Sequence, residues 1–198
     1  MTQHEYGALV RAWSQASKKN NFKIVQQIIE MPLESRETFI DQFLAGININ
    51  TKVIFISHIT SQTALIFPIK EICNFAKKAG IVTIVDGAHV PGHIELNLKN
   101  IDCDYYTGAC HKWLCAPKGT SFLYVRKELQ NNIAPQTISW GEEGVDPGPT
   151  QFLMDFQWQG TRDMSAFLSI PSAINFVKKN KWRENHIASK EIIIETSQ

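Results

Sequence analysis

The residues best equipped for chemistry are a carboxylate and an amine. Asp86 closes the run IVTIVD of IVTIVDGAHVPG, and Lys112 stands between His111 and Trp113 in TGACHKWLCAPKG. An apolar, β-branched run that stops at Asp-Gly, followed after a loop by such a lysine, reads as an acid and an amine delivered to one pocket. That is the minimal equipment for holding pyridoxal phosphate: the amine forms a Schiff base, and the carboxylate keeps the pyridine nitrogen protonated. A protonated ring accepts the electrons left when a bond to a substrate α-carbon breaks. Taken singly, each residue has a plainer reading. An isolated Val-Asp-Gly reads first as a turn, and most lysines are solvated surface charges. The neighbours His111, Trp113, Leu114 and Pro117 shift the balance for Lys112, because they predict an apolar setting that desolvates the amine.

The elements that must position this pair alternate along the chain. From Tyr6 to about Lys19, YGALVRAWSQASKK places Ala8, Leu9, Ala12, Trp13 and Ala16 on one helical face. FKIVQQIIEMP predicts a strand closed by Pro32. Ser35, ahead of Thr38, Phe39, Ile40, Phe43 and Leu44, predicts a capped helix ending at Gly46, and TKVIFISHIT a fully buried strand. PIKEICNFAKKAG has proline at its start, lysines in its last turn and glycine just past its end, which predicts a short amphipathic helix feeding directly into IVTIV. Strand, helix and strand with tight connections make a βαβ unit with parallel strands and a right-handed crossover. In an open parallel sheet ligands bind beyond the carboxyl ends of the strands, which is where Asp86 falls.

DYYTGA and TSFLYVRK predict two further strands, the second antiparallel across the turn at Pro117-Lys118-Gly119. Residues 134–161, dense in Gly, Pro, Gln and Trp, predict a long irregular segment of the functional kind. Residues 165–179 predict a helix kinked at Pro171, and WRENHIASKEIIIETSQ starts another.

Composition narrows the function classes. The 198 residues are 43% hydrophobic and 20% charged with a formal net charge of +1, so neither nucleic acid nor an anionic membrane is a suggested partner. MTQHEYGALVRAW lacks a basic region followed by an apolar one, and no stretch approaches ~18 apolar residues, so the expected compartment is the cytoplasm. Cys73, Cys103, Cys110 and Cys115 are too few for a disulfide scaffold. Three of them with His111 give the spacing C-x6-C-H-x3-C rather than paired hooks, so no metal site is expected.

DGAHVPGHIEL followed by DYYTGACHKWLCAPKGTSFLYVR resembles the core of the class V aminotransferase family of fold-type I pyridoxal-phosphate enzymes. HEYGALVRAW, ISHITSQTALIFPIKEIC and WQGTRDMSAFLSIPSAINF are most similar to its isopenicillin N epimerase-like branch, and the resemblance runs along essentially the whole chain. It implies that Lys112 carries the cofactor, Asp86 binds the pyridine nitrogen, His89 bonds the phenolic oxygen and His111 contacts the phosphate. Tyr6 falls where related desulfurases place a histidine that stacks on the ring. Thr161, in Gln-Gly-Thr, matches a threonine that reaches the phosphate of the neighbouring subunit, which implies a homodimer with shared sites. The plainer readings are a loop cap for His89, a core aromatic for Tyr6 and a helix N-cap near Asp163 for Thr161. Ser57 and His58, in ISHITS, fall at a strand end, where one reading has them face substrate and the plainer one is a satisfied structural pair.

Two departures stand out. Ala109 occupies the position where desulfurases carry a phosphate-binding serine, and the family's phosphate-cradling N-terminal segment and C-terminal small domain have no counterpart. The expected fold is therefore a three-layer α/β/α domain with a mostly parallel sheet, incomplete at both ends. Residues 1–180 would be a partial cofactor-binding large domain, and 181–198 the start of a helix leading to the small domain. The expected function is that of a pyridoxal-phosphate enzyme acting on an amino acid, as epimerase or transaminase. The alternatives are desulfurase or lyase chemistry, or an inactive truncated remnant.

Overall fold

The computed structural model describes residues 1–141 and 148–196. Its elements are α1 (Gly7–Asn20), α2 (Arg36–Leu44), β1 (Val53–Ser57), α3 (Ile69–Ala79), β2 (Val82–Asp86), the single turn α4 (Leu98–Ile101), β3 (Tyr105–Ala109), β4 (Ser121–Val125), a 3-10 turn (Lys127–Asn132), α5 (Gln151–Gln157), α6 (Ser165–Leu168), α7 (Ile170–Lys179) and α8 (Trp182–Thr196).

Local chemistry accounts for the elements around the site. Ile69, Ile72, Cys73 and Ala76 recur at helical spacing and form the buried face of α3. Pro68 precedes that helix, and Gly80, in the left-handed region at φ 66°, ends it. The Ser35 hydroxyl accepts the Thr38 N–H at 3.0 Å and caps α2. The chain turns at once from Gly80 into β2, which lies parallel to β1, so the βαβ unit read from the sequence is present. The sheet order is β1-β2-β3-β4, with β4 antiparallel to β3 as expected from the short connection.

Side chains alternate across a strand, and this sorts the two faces. Ile54, Ile56, Val85 and Tyr106 pack with Phe39, Phe43 and the apolar face of α3 in the main core. Phe55 points the opposite way, against Trp13 of α1 with ring centroids 5.5 Å apart. Helices thus cover both faces at β1. A second cluster joins Cys110, Leu114 and Ala116 to Ile170, Ala173 and Val177 of α7.

Three expectations need correction. Residues 22–32 are extended but form no strand: one parallel bridge, Thr2 to Gln27, is all the pairing they make, because only residues 1–3 lie alongside them. Residues 134–161 are not irregular throughout, since the Thr150 hydroxyl caps α5 by accepting the Leu153 N–H at 3.2 Å; residues 142–147 lie outside the described residues. Pro171 kinks nothing, because the helix breaks at Ser169 and restarts with Pro171 in its first turn, where a missing N–H is harmless.

Because Ile72 is fully buried, Ile72→Ala should lower unfolding stability by about 2–5 kcal/mol in urea titration, and an unchanged midpoint would show that the core lies elsewhere.

Candidate active site

The register of the parallel pairs sets Ser57 beside Asp86 and Asp86 beside Thr107, so β1 and β2 end level on one edge and β3 runs two residues farther, to Ala109. Asp86, buried at 8% exposure, is the last residue of β2. One of its oxygens accepts the Ala88 N–H at 2.9 Å, and the other has no hydrogen-bond partner among the described residues. The turn reading is thus present in this side chain, and one oxygen stays open toward the cleft. After Asp86 the backbone crosses the ring of Tyr106 so closely that a Cβ on Gly87 would overlap it. Farther on, Gly92 adopts φ 81° against the loop that carries Lys112, where a Cβ would fall 2.6 Å from Leu114 backbone atoms and from the Trp113 carbonyl oxygen.

That second loop leaves β3 at Ala109. The Lys112 carbonyl accepts the Cys115 N–H at 3.2 Å, with Cys115 in the left-handed region at φ 60°. His111 Nδ1 donates to the Thr120 carbonyl at 2.8 Å, which fixes its ring and leaves Nε2 open. Lys112 Nζ lies 3.0 Å from His89 Nε2, and Trp113 Nε1–H donates to His89 Nδ1 at 3.2 Å. Burial first, and then the nearness of Lys112, lower the His89 pKa against the opposing pull of Asp86. The apolar enclosure expected for Lys112 is absent: Lys112, Trp113 and Pro117 are exposed while Leu114 and Ala116 turn inward, because the loop rims an open cleft.

The cleft has a volume of about 370 Å³, and Tyr6, Asp86, His89, His111 and Lys112 all line it. Five of the six residues singled out from sequence are thus brought together. Tyr6 is no core aromatic, since it is 53% exposed at the rim. Thr161 is exposed and does not line the cleft, and it caps no helix either: Met164 is the N-cap residue of α6, and the Ser165 N–H is accepted by Asp163 Oδ1 at 2.8 Å.

Glu5 is the functional residue that sequence reasoning missed. Its carboxylate, 3% exposed, accepts the Thr2 N–H and hydroxyl at 3.1 and 2.8 Å and the Ser57 N–H and hydroxyl at 2.8 and 2.6 Å. It fastens the segment before α1 to the end of β1 and so holds Tyr6 at the cleft. Its partner Ser57 lies 52 positions away, and no local spacing signals that. The Ser57 hydroxyl donates in this bond although Ser57 also lines the cleft, and buried His58 pairs through Nδ1 with the Tyr106 hydroxyl at 2.9 Å, so both side chains are hydrogen-bonded within the fold. All four cysteines are free, and among the described residues no three His, Cys, Asp or Glu side chains converge as a metal site. Nor is any helix among those residues long and apolar enough to cross a membrane.

A mostly parallel sheet whose strand ends open into a cleft with a carboxylate, an imidazole and an amine defines an α/β domain with a candidate binding site at the carboxyl edge of its sheet. The chain belongs to the aminotransferase class-V family, whose sequence profile matches residues 1–196. It is 32% identical over 186 residues to isopenicillin N epimerase of Amycolatopsis lactamdurans, covering 89% of this chain and 47% of that protein. It is 28% identical over 188 residues to a probable chloroplastic L-cysteine desulfhydrase of Arabidopsis thaliana, covering 90% of this chain and 38% of that one. A C-DES variant solved with glycine covalently linked to its PLP cofactor matches with a TM-score of 0.76 at 18% identity, over 90% of this chain and 48% of that chain; this likeness concerns the fold. The chain spans about half the length of the epimerase.

Burial lowers the His58 pKa from 6.5 to about 4. Between those values the unfolded chain takes up a proton that the folded chain refuses. The neutral ring's contribution is therefore complete above the unfolded value and is lost as pH falls toward the folded one, by on the order of 3 kcal/mol. Urea midpoints should fall between pH 7 and pH 4, and His58→Gln should flatten that fall; equal slopes in both proteins would assign the pH dependence elsewhere.

Proposed function

We propose that the chain is the cofactor-binding part of a pyridoxal-phosphate enzyme of the isopenicillin N epimerase-like branch, acting on an amino acid. The observation that carries this reading is the placing of the Asp86 carboxylate and the Lys112–His89 pair in one cleft at the carboxyl edge of a parallel sheet. The donor set fits the parts of the cofactor. A buried carboxylate with an open oxygen suits a ring N–H, a primary amine suits an aldehyde carbon, and an imidazole suits the phenolic oxygen. His111 Nε2 suits the phosphate, and the exposed ring of Tyr6 suits stacking.

Bound pyridoxal phosphate supplies an electron sink for the bond broken at the substrate α-carbon. Asp86 holds the proton at the ring nitrogen. Lys112 Nζ is the base that takes the α-proton of the amino acid and returns a proton to the carbon. Inversion needs a proton delivered to the opposite face by a group other than Lys112; that outcome is epimerisation, which similarity to isopenicillin N epimerase supports. Similarity to an L-cysteine desulfhydrase supports a second reading, lyase chemistry on cysteine.

Thr161, exposed and not lining its own cleft, is assigned to the phosphate in a second subunit's site, so the functional unit is a homodimer. Residues 1–180 form the cofactor-binding part, and α8 leads toward a small domain. Four free thiols suit the reducing cytoplasm.

The 198-residue chain mixed with pyridoxal phosphate and reduced with borohydride should carry the adduct on the Lys112 peptide. Lys112→Ala should lose it; an equal adduct in that variant removes Lys112 from the role, and no uptake by the wild-type chain favours the inactive remnant. Asp86→Asn should retain cofactor and slow exchange of an amino acid α-proton into deuterated water by at least about 10²-fold. Exchange at the wild-type rate would mean that the ring nitrogen needs no partner.

A further inference from the structure

Trp113 is bonded to His89, which lines the cleft. Its Nε1–H donates to His89 Nδ1 at 3.2 Å, while His89 Nε2 lies 3.0 Å from Lys112 Nζ. An indole nitrogen can only donate, so His89 Nδ1 carries the ring's lone pair; a neutral imidazole has one N–H, which then sits on Nε2. The indole is itself held in place. It stacks on His93 with centroids 4.3 Å apart and planes 26° from parallel, and His93 Nδ1 meets the His89 carbonyl at 3.2 Å. His186 of α8 closes on His93 edge-on at 5.6 Å, its Nδ1 3.3 Å from the His93 carbonyl. Both partners of the indole–imidazole bond therefore belong to one packed cluster. The titratable groups facing His89 are Lys112, Asp86 and His93.

We infer that Trp113 is a positioning residue that sets the tautomer of His89, so that the imidazole presents an N–H from Nε2 to the Lys112 nitrogen and to any acceptor beside it. A protonated Lys112 makes the opposite demand, because an ammonium needs Nε2 as its acceptor. The indole bond opposes that demand, and the tautomer of the ring reports which of the two prevails. On the pyridoxal-phosphate reading proposed above, which supplies the identity of the acceptor, the N–H meets the phenolic oxygen. The other tautomer would turn a lone pair on that oxygen and lose the bond.

The test is nitrogen-15 NMR of the cofactor-free chain labelled at histidine, with the His89 signals identified by their loss in His89→Gln. In the wild-type chain at neutral pH, Nε2 should be protonated and Nδ1 bare. Trp113→Phe keeps a ring against His93 but has no N–H, and should shift the tautomer ratio toward Nδ1–H by about fivefold, the size of one neutral hydrogen bond. A wild-type ring protonated on Nδ1 overturns the assignment whether or not Trp113→Phe folds, and a ratio unchanged in Trp113→Phe overturns it too. In borohydride trapping with pyridoxal phosphate, Trp113→Phe should need about fivefold more probe to label Lys112, and an unchanged requirement counts against the role. If neither protein is labelled while the tautomers behave as expected, the cofactor reading fails and the Trp113 assignment stands.

Discussion

Parallel pairing of β1, β2 and β3 is the constraint on which the cleft depends. Because these strands run the same way, their carboxyl ends finish on one edge, and the register lines up Ser57, Asp86 and Thr107 in a row. A hairpin in place of either crossover would reverse a strand and carry its last side chain to the far edge. Helix α3 makes the parallel return possible: its apolar face packs into the core, and Gly80 turns the chain straight into β2. Lys112 then arrives on the loop after the next strand, so acid and amine reach the cleft from adjacent strand ends.

The N-terminal segment is tied to that row by charge-assisted hydrogen bonds. Glu5 gathers four donors in a nearly water-free position, and half of them come from Ser57 at the end of β1. Such bonds are roughly twice as strong as neutral ones, and removing the acceptor would strand the buried Thr2 and Ser57 hydroxyls. The wall of the cleft that Tyr6 provides is thus held by an interaction made one residue earlier. On the opposite rim, the stack of Trp113 on His93 and the approach of His186 join the lysine loop to α8.

How much of this was legible in the sequence depends on where the determining contacts lie. The apolar face of α3, the caps at Ser35 and Gly80 and the strands IVTIV and DYYTGA are written in residues within a few positions of one another, and all are present. Asp86 and Lys112 were legible because each ends or follows a recognisable strand, and His89 and His111 stand close beside them. Residues 22–32 have the β-branched content of a strand, but a strand exists only if a neighbour accepts its hydrogen bonds, and composition says nothing about that. The exposure of Lys112 went unread for a related reason: apolar neighbours in sequence flank the lysine along a loop without enclosing it in space. Glu5 and Trp113 were missed because their roles belong to partners distant in the chain, Ser57 and His89.

Gly92 has a consequence for how such a site can change over time. At φ 81°, with Leu114 backbone and the Trp113 carbonyl oxygen where a side chain would stand, it lets the loop after Asp86 rest on the loop of Lys112 through main-chain atoms. The spacing between acid and amine is therefore set by backbone contact and is insulated from the side chains that line the rest of the cavity. Leu9, Ile59 and Ser61 border the same cleft and take no part in that contact. Substitutions there can reshape what the cavity admits while Asp86 and Lys112 keep their placement, so the shape of the cleft and the spacing of its acid and amine are free to diverge separately among descendants of one fold.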